Sequence, residues 1–500
     1  MQKQIVINAE PRETRIAILE GNVLQDYFVE RPGYKGVVGN IYKGKVDAIV
    51  PGLAAAFVDI GLERDGFLYA GDVATQNIDY LPLEFDETVL EEKKKRSSED
   101  IQKLLKKNQE ILVQIEKDAV GTKGPRLTQY ISIPGRFLVL MPLQKRHIGI
   151  SKKIEGDERG RIKKIISELK IPDECGLIVR TAAQGVAHRD LARELKFLVK
   201  IWGRVKNFAN REKAPKLVYE EYDLILKAVR DLLSEDVNTL TVDSKDEYKR
   251  IMKFLKMVLP GLRAKVKLYR GRKGLLDESG TEKEIEKLYA KKVWLKSKGT
   301  IVIEQTESLV AIDVNTAGFS GKRNPEETAF VTNMEAAREI ARQIRLRDMG
   351  GIIIIDFIDM ELRDHRHKVH RALEEALKRD KAKTEVLSVS SIGVVEMTRQ
   401  RVGRSLQALV FQDCPYCRGE GHVKSVSTVS TEILRKLKKL LNENRLRNIE
   451  IAVHPDVTNF LTTQDKSQIS FIENKYRCRI KIRADQSCHL EDVHITPSNN

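Results

Sequence analysis

Two runs of β-branched residues, each closed by an aspartate, constrain this chain more than any other feature. The first is Ser308-Leu-Val-Ala-Ile-Asp313-Val-Asn315 and the second Gly350-Gly-Ile-Ile-Ile-Ile-Asp356. Both read as buried strands. Between them a helical pattern opens with Asn324 as N-cap, Pro325 at the first helical position and Glu326 and Glu327 in the first turn. Gly350 and Gly351 are expected to stop it. Strand, helix and strand joined in this way favour a parallel pair with a right-handed crossover, which brings both strand ends to one edge of one sheet. The two carboxylates then converge, with the Asn315 amide nearby. Such a group suits a hard divalent cation such as Mg²⁺, which keeps several waters and binds through one or two carboxylates plus a substrate phosphate. The plainer alternative is that each aspartate caps its strand or joins a surface ion pair.

Length and charge set the context for that pair. The chain has 500 residues, enough for about three or more folding units of ~150 residues. Lys and Arg number 88 against 72 acidic residues, a net charge of +16. This favours a polyanionic partner, nucleic acid being the commonest and an anionic membrane surface the competitor. No apolar stretch approaches the ~20 residues of a transmembrane helix. The opening Met-Gln-Lys-Gln-Ile-Val-Ile-Asn lacks the parts of a secretory signal, so a cytoplasmic protein is expected. Five cysteines are sparse and odd in number, unlike a disulfide scaffold, so Cys414 and Cys417 read as metal ligands or thiols.

Along the chain, Ile5, Ile7, Arg15-Ile-Ala-Ile-Leu19 and Tyr27-Phe-Val29 around Gly21-Asn22 predict a small antiparallel meander. Short strand candidates follow at Val37 to Val50, Ala55 to Ile60 and Gly66 to Tyr69, with glycine at the bends, as in a small barrel. A mixed-charge segment from Glu84 to Glu110 interrupts it and reads as a solvated helix or flexible insertion. Ile111 to Ile115 resumes the barrel. A mixture of helices and strands runs from Leu127 to about Glu220, with Phe137 to Met141 and Gly176 to Arg180 as strands. A further α/β segment spans Tyr222 to about Tyr289. The unit with the two aspartates, the cysteine motif and a basic tail domain from about Ser425 complete the chain, with no internal repeat.

The barrel offers Phe57 and Phe67 on adjacent strand candidates, with Lys45, Lys117 and Lys123. Aromatic faces on a barrel surface stack bases, worth about 1–3 kcal/mol each, while lysines track phosphates. A phenylalanine in a short strand is nevertheless more often core. Cys414-Pro-Tyr-Cys417, followed by Gly419 and Gly421, has the shape of half a zinc site. His422 with Cys478 or Cys488 would complete an internal knuckle, a second chain would supply the missing pair, or the thiols stay unligated.

Asn40-Ile-Tyr-Lys-Gly-Lys-Val, Ala55-Ala-Phe-Val-Asp-Ile-Gly61, Ile354-Ile-Asp-Phe-Ile-Asp-Met360 and Asp413-Cys-Pro-Tyr-Cys-Arg-Gly-Glu-Gly421 resemble the signature blocks of the ribonuclease E/G family, in order and spacing. Ending at residue 500 without a long disordered scaffold, the chain is more similar to the shorter, G-type branch. The resemblance implies a multidomain α/β fold. An RNase H-like domain (1–35 and 222–289) would be interrupted by an S1, OB-fold barrel (36–126, charged insertion 84–110) and a 5′-sensor region (127–221). A DNase I-like catalytic domain (290–409), a zinc link (410–424) and a small C-terminal dimerising domain (425–500) would follow.

The resemblance also implies roles. Residues matching Asp313 and Asp356 hold Mg²⁺, and Asn315 supports them by hydrogen bonding. The ion would polarise a phosphoryl oxygen and help generate the hydroxide that attacks single-stranded RNA, leaving 5′-phosphate and 3′-hydroxyl ends. Phe57, Phe67 and Lys123, with Lys117 as a weaker candidate, match the residues that hold RNA. Arg180 and Thr181 match ligands of a 5′-monophosphate, and Gly135 and Val139 line that pocket. Where the family has a second pocket arginine this chain has Lys383, which keeps the charge but loses the planar fork, so weaker sensing is expected. On its own, Arg180 would more often be an ordinary surface residue. Zn²⁺ shared by Cys414 and Cys417 of two chains implies a homodimer, with tetramers left open. Ribosomal RNA processing and messenger RNA decay are the implied settings. A non-catalytic RNA-binding or ribosome-assembly protein is the rival from another class, and a small-molecule phosphatase is the third reading.

Overall fold

A computed structural model describes residues 2–32, 36–74, 101–119, 123–144, 148–306, 308–316, 324–390, 392–400, 403, 405–443 and 446–497. The chain divides into two units, Met1–Leu406 and Gln407–Asn500. In the first unit β1 (Lys3–Glu10), β2 (Glu13–Glu20) and β3 (Val23–Glu30) form the antiparallel meander. Gly21 supplies the positive φ of 64° that the second turn requires.

The chain then closes a five-stranded barrel from β4 (Ile41–Val50), β5 (Ala55–Asp59), β6 (Gly66–Tyr69), β7 (Glu110–Lys117) and β8 (Arg126–Thr128). The strands run β4-β5-β6-β8-β7, and β7 pairs back with β4. Val46, Ala56, Val58, Leu68, Val113, Ile115 and Leu127 fill its interior. At Gly44 a Cβ would stand 2.6 Å from Val58 Cγ1, so the narrow barrel admits only glycine there. Of the mixed-charge segment, residues 84–100 lie outside the described residues. Its last part contributes the turn Ile101–Leu104, with Ile101 in the barrel core.

Next come β9 (Ile133–Pro134), β10 (Leu138–Pro142), β11 (Ile148–Ile150) and β12 (Cys175–Val179), in the order β11-β12-β10-β9. The helix His188–Arg211 presents Leu191, Leu195, Leu198, Trp202 and Val205 to the same core. This is the i, i+3/i+4 stripe of an amphipathic helix. β13 (Lys216–Tyr219) extends the barrel beside β4. β14 (Val237–Val242) and β15 (Val266–Leu268) return to the first sheet, where β14 runs parallel to β1.

The last sheet of this unit contains β16 (Lys292–Trp294), β17 (Thr300–Gln305), β18 (Leu309–Asn315), β19 (Gly351–Asp356), β20 (Thr384–Val386) and β21 (Val394–Arg399). Its order is β16-β17-β18-β19-β21-β20. The helices Pro325–Leu346 and Arg363–Leu377 both pack on one face, through Ala336, Ile340, Ile344, Val369 and Leu373 against Ile303, Ile312, Ile353, Ile355 and Val395. The opposite face exposes Ala311, Asp313, Asn315, Ile352, Asp356 and Glu396. The β-branched runs are therefore buried on one face, and not on both as their composition predicts. The first helix also stops earlier than the glycines. It ends at Leu346, and Asp348 takes a left-handed φ of 46°, while Gly351 opens β19.

In the second unit the helix Val426–Glu443 packs on β22 (Asn448–Val453), which is flanked by parallel β23 (Arg479–Ala484) and antiparallel β24 (Val493–Pro497). Among the described residues no helix is long and apolar enough to cross a membrane.

One buried arginine ties the β16–β21 sheet to its turns. Arg399 donates from Nε to Asp380 (2.7 Å), and from Nη1 to Asp348 (2.7 Å) and to the Met349 carbonyl (2.8 Å). The Asp380 side chain is itself only 3% exposed. Removing the cation would leave that carboxylate buried and uncompensated, so Arg399→Leu is expected to destabilise the first unit by about 3–5 kcal/mol. Urea unfolding checks this, and an unchanged midpoint would contradict it.

Candidate active site

Strands β18 and β19 pair in parallel from Leu309↔Ile352 to Asp313↔Asp356. Neighbouring strands lie about 4.8 Å apart and directly paired residues share a face. The two carboxylates therefore stand side by side, exposed, on the open face at the C-terminal ends of their strands. Asn315, two residues on and on the same face, donates from Nδ2 to Asp313 Oδ2 at 2.6 Å and fixes that carboxylate.

The turn behind Asp356 is held from the crossover helix. Asn333, fully buried, donates to the Ile358 carbonyl (2.7 Å) and accepts from the Ile358 N–H (3.1 Å). Glu326 accepts from the backbone N–H groups of Glu361 (2.9 Å) and Leu362 (3.3 Å) and faces His365 Nδ1 at 2.7 Å. These bonds, the Glu361 N–H foremost and against a small desolvation cost, hold its carboxyl below the usual range. Sequence reasoning assigned Glu326 only to the helix's first turn and missed Asn333, whose single signal is an amide on an apolar helix face.

Among the described residues no three His, Cys, Asp or Glu side chains gather into a closed cage for a metal. The donor set at the strand ends is two carboxylates on an open face. That set fits Mg²⁺, which prefers few protein ligands and keeps room for water and phosphate.

On the barrel, Phe57 and Phe67 are register partners on β5 and β6, half-exposed on the outer face, while Ala56, Val58 and Leu68 point inward. Their rings meet edge to face at 5.8 Å, and Tyr69 continues the row 6.3 Å from Phe67. Tyr69 was missed, although the alternation in Gly66-Phe-Leu-Tyr69 already puts it on the face of Phe67. Lys45, Lys117 and Lys123 are exposed.

Arg180 follows β12 and donates from Nη1 to the Gly135 carbonyl (2.5 Å) and to Asp231 Oδ1 (2.7 Å). Asp231 is also gripped by Arg230 at 2.9 Å. Burial raises the Asp231 pKa, but the bonds and charges of Arg230 and Arg180 outweigh it and leave the carboxyl below its ordinary value. Thr181 pairs its hydroxyl with that of Ser151 (2.9 Å), and Val139 lies half-buried opposite Ile178 on β12. The loop carrying Gly135 is pinned by Glu194, which accepts from the N–H groups of Arg136 (2.7 Å), Phe137 (2.8 Å) and Leu138 (2.8 Å). Burial pushes the Glu194 carboxyl up despite these three donors. A Cβ on Gly135 would stand 2.7 Å from Glu194 Cδ, so only glycine fits.

Lys383 is exposed just before β20, its carbonyl accepting from Gln400 N (2.9 Å). Two residues earlier, Lys381 lies close enough to Asp231 and Arg180 to feel their charges. Desolvation lowers its pKa against the attraction of Asp231 and Asp26. Sequence spacing alone did not single it out.

In the second unit Cys414 is exposed and Cys417 half-buried, in a turn where Arg418, Gly419 and Gly421 take positive φ. The Gly421 N–H donates to Cys417 Sγ (3.2 Å), and His489 Nε2 lies 2.7 Å from the Tyr416 carbonyl. Backbone N–H groups of Cys417 and Tyr416 lower the Cys414 pKa. Cys478 and Cys488 are buried, and burial raises both thiols. The internal knuckle with His422 is not assembled among the described residues, so one chain presents two thiols at this turn.

Residues 132–402 match the sequence pattern of the ribonuclease E/G family, and residues 413–498 that of an RNase E/G thioredoxin-like domain. The chain is 38% identical over 497 residues to ribonuclease G of Escherichia coli K12, covering 99% of both proteins. It is 37% identical over 496 residues to ribonuclease G of Haemophilus influenzae, covering 98% of this chain and 99% of that one. Against ribonuclease E of Haemophilus influenzae it is 38% identical over 495 residues, covering 99% of this chain and 52% of that protein. With relatives aligned along its whole length and a family pattern spanning the paired aspartates, the chain belongs to the ribonuclease E/G family.

Proposed function

We infer that this protein is a Mg²⁺-dependent endoribonuclease that cleaves single-stranded RNA and leaves 5′-phosphate and 3′-hydroxyl ends, working in ribosomal RNA processing and messenger RNA decay. The observation that carries this reading is the register Asp313↔Asp356 on the open face of the sheet. Asp313 and Asp356 would hold the ion, and Asn315, by donating to Asp313 Oδ2, would limit the turning of that carboxylate. Magnesium, when bound, supplies Lewis-acid polarisation of a phosphoryl oxygen and makes water a stronger nucleophile. The row Phe57, Phe67 and Tyr69 on the S1-type barrel stacks splayed bases, which restricts the substrate to unpaired strands. Lys117 and Lys123 follow its backbone.

Asp313→Asn and Asp356→Asn keep shape and lose charge. Each is expected to lower single-turnover cleavage by roughly 10³-fold, the equivalent of several kcal/mol. RNA affinity, read by fluorescence anisotropy, should move only a few-fold. Cleavage retained in either variant would remove that residue from the mechanism.

The pocket around Arg180 and Thr181, with Gly135 and Val139 behind it, is proposed to receive a 5′-monophosphate. Asp231 and the Gly135 carbonyl orient the guanidinium, and 35% of the Arg180 side chain stays exposed. RNA carrying a 5′-phosphate should be cut faster than its 5′-hydroxyl counterpart, and Arg180→Ala should bring the ratio close to one. Equal rates in the wild type would rule out a working sensor.

The two thiols at Cys414 and Cys417 are proposed to share Zn²⁺ with those of a second chain, since a structural zinc takes four ligands. Metal analysis of the purified protein should then return one zinc per two chains, with chelation splitting the dimer. One zinc per chain would contradict the shared link.

A further inference from the structure

The open face that carries the aspartates also carries an unexplained aromatic. Trp294 lies on β16, the edge strand of this sheet, and is 66% exposed. It pairs with Thr300, which pairs with Asn315. In the adjacent row Lys292 pairs with Val302, which pairs with Asp313. Directly paired residues share a face, so Trp294 and Lys292 stand on the face of Asn315 and Asp313, two strand spacings or about 10 Å away. The Lys292 ammonium sits 4.7 Å from the centroid of the indole ring. That cation–π contact fixes the ring and places a positive charge beside it.

A single exposed aromatic is ordinary on a protein surface and by itself implies no ligand. Here the surroundings specify the occupant. A planar π-face, an adjacent cation and a phosphodiester site in neighbouring rows match one repeating unit of a single-stranded polynucleotide: a base to stack and a phosphate to neutralise. The geometry points to Trp294 and Lys292 as an RNA subsite, in which Trp294 stacks a base near the scissile phosphate and Lys292 contacts the backbone beside it. This rests on the endoribonuclease reading and extends it. The subsite lies on the catalytic sheet and is separate from the aromatic row on the barrel. Stacking is indifferent to base identity, so its contribution is to hold the strand in register with the carboxylates and not to read sequence.

The protein carries its own reporter. It has two tryptophans, and the other, Trp202, is 4% exposed in the core. Red-edge tryptophan emission therefore reports Trp294. Titration of the wild-type protein with a single-stranded oligoribonucleotide, without added Mg²⁺, is expected to quench that emission saturably. Trp294→Ala, which removes the reporting ring itself, should raise KM for cleavage about tenfold, with a smaller effect on kcat, while Trp294→Phe brings KM most of the way back. Unquenched emission while the wild type still binds and cuts RNA would overturn the subsite and leave the endoribonuclease reading standing. Emission that follows protein concentration and not RNA would assign the edge strand to a second copy of the chain, and would also overturn it. Quenching by RNA that is never cut would support the subsite and count against the nuclease reading instead.

Discussion

The register between β18 and β19 is the constraint on which the rest of the site depends. Side chains on a strand alternate, so a slip of one residue would turn Asp313 toward the helices and bring Val310, Ile312 and Val314 to water. Ile312, Ile353 and Ile355 are all at most 1% exposed. Each contributes about 1.5–3 kcal/mol by its burial, and a slip would forfeit several of these while burying a charge. The apolar core therefore fixes the spacing of the two carboxylates from the opposite face of the sheet. Site geometry is in this sense a by-product of hydrophobic packing on the opposite face.

That division of labour runs through the whole sheet. Both helices cover one face, and the other is left for charge and for Trp294. Where helix and open face must communicate, they do so at strand ends through polar groups that are partly or wholly buried. Asn333 and Glu326 reach from the crossover helix to the turn after Asp356, and Arg399 fastens the opposite end of β19's neighbour to Asp348 and Asp380. Such groups are costly to bury unpaired and worth keeping only when every partner is present. The turn behind Asp356 is accordingly held by directional bonds, which set position more sharply than apolar contact.

How much of this was legible in the sequence differs with the physics involved. The strand-helix-strand unit was, because Asn324, Pro325 and the two β-branched runs are local signals that tertiary packing reinforced. The barrel strands were legible to within a few residues, since alternation and glycine punctuate them. The face on which Phe57 and Phe67 lie was not, because half-exposed and core phenylalanines have the same local pattern. One-sided burial of the isoleucine run escaped for the same reason: Ile352 is 52% exposed on a strand that reads as wholly apolar. Asp231, Glu194 and Lys381 were invisible because their partners are distant in sequence. The Arg180 to Asp231 bond joins residues 51 positions apart, and no window of local composition contains both.

The surroundings of Arg180 show why a pocket of this kind can select without being strongly cationic. Arg180 and Arg230 are paired with Asp231 and Glu221 within one bonded network, which the Arg136 guanidinium joins by donating to the Arg230 carbonyl (3.0 Å) while Glu194 accepts from the Arg136 backbone N–H. A free arginine on a surface would attract any phosphate along an RNA chain, terminal or internal. One already paired to Asp231 offers less net charge, so a ligand must gain from geometry what it loses in Coulomb attraction. A terminal phosphate carries more charge than a diester and more acceptor oxygens to fit a fixed fork. Pairing Arg180 with Asp231 lowers the Coulomb attraction for both ligands, and by more for the doubly charged terminal group, so in the proposed pocket selection for that group rests on the additional acceptor oxygens that a guanidinium held in a fixed orientation can meet.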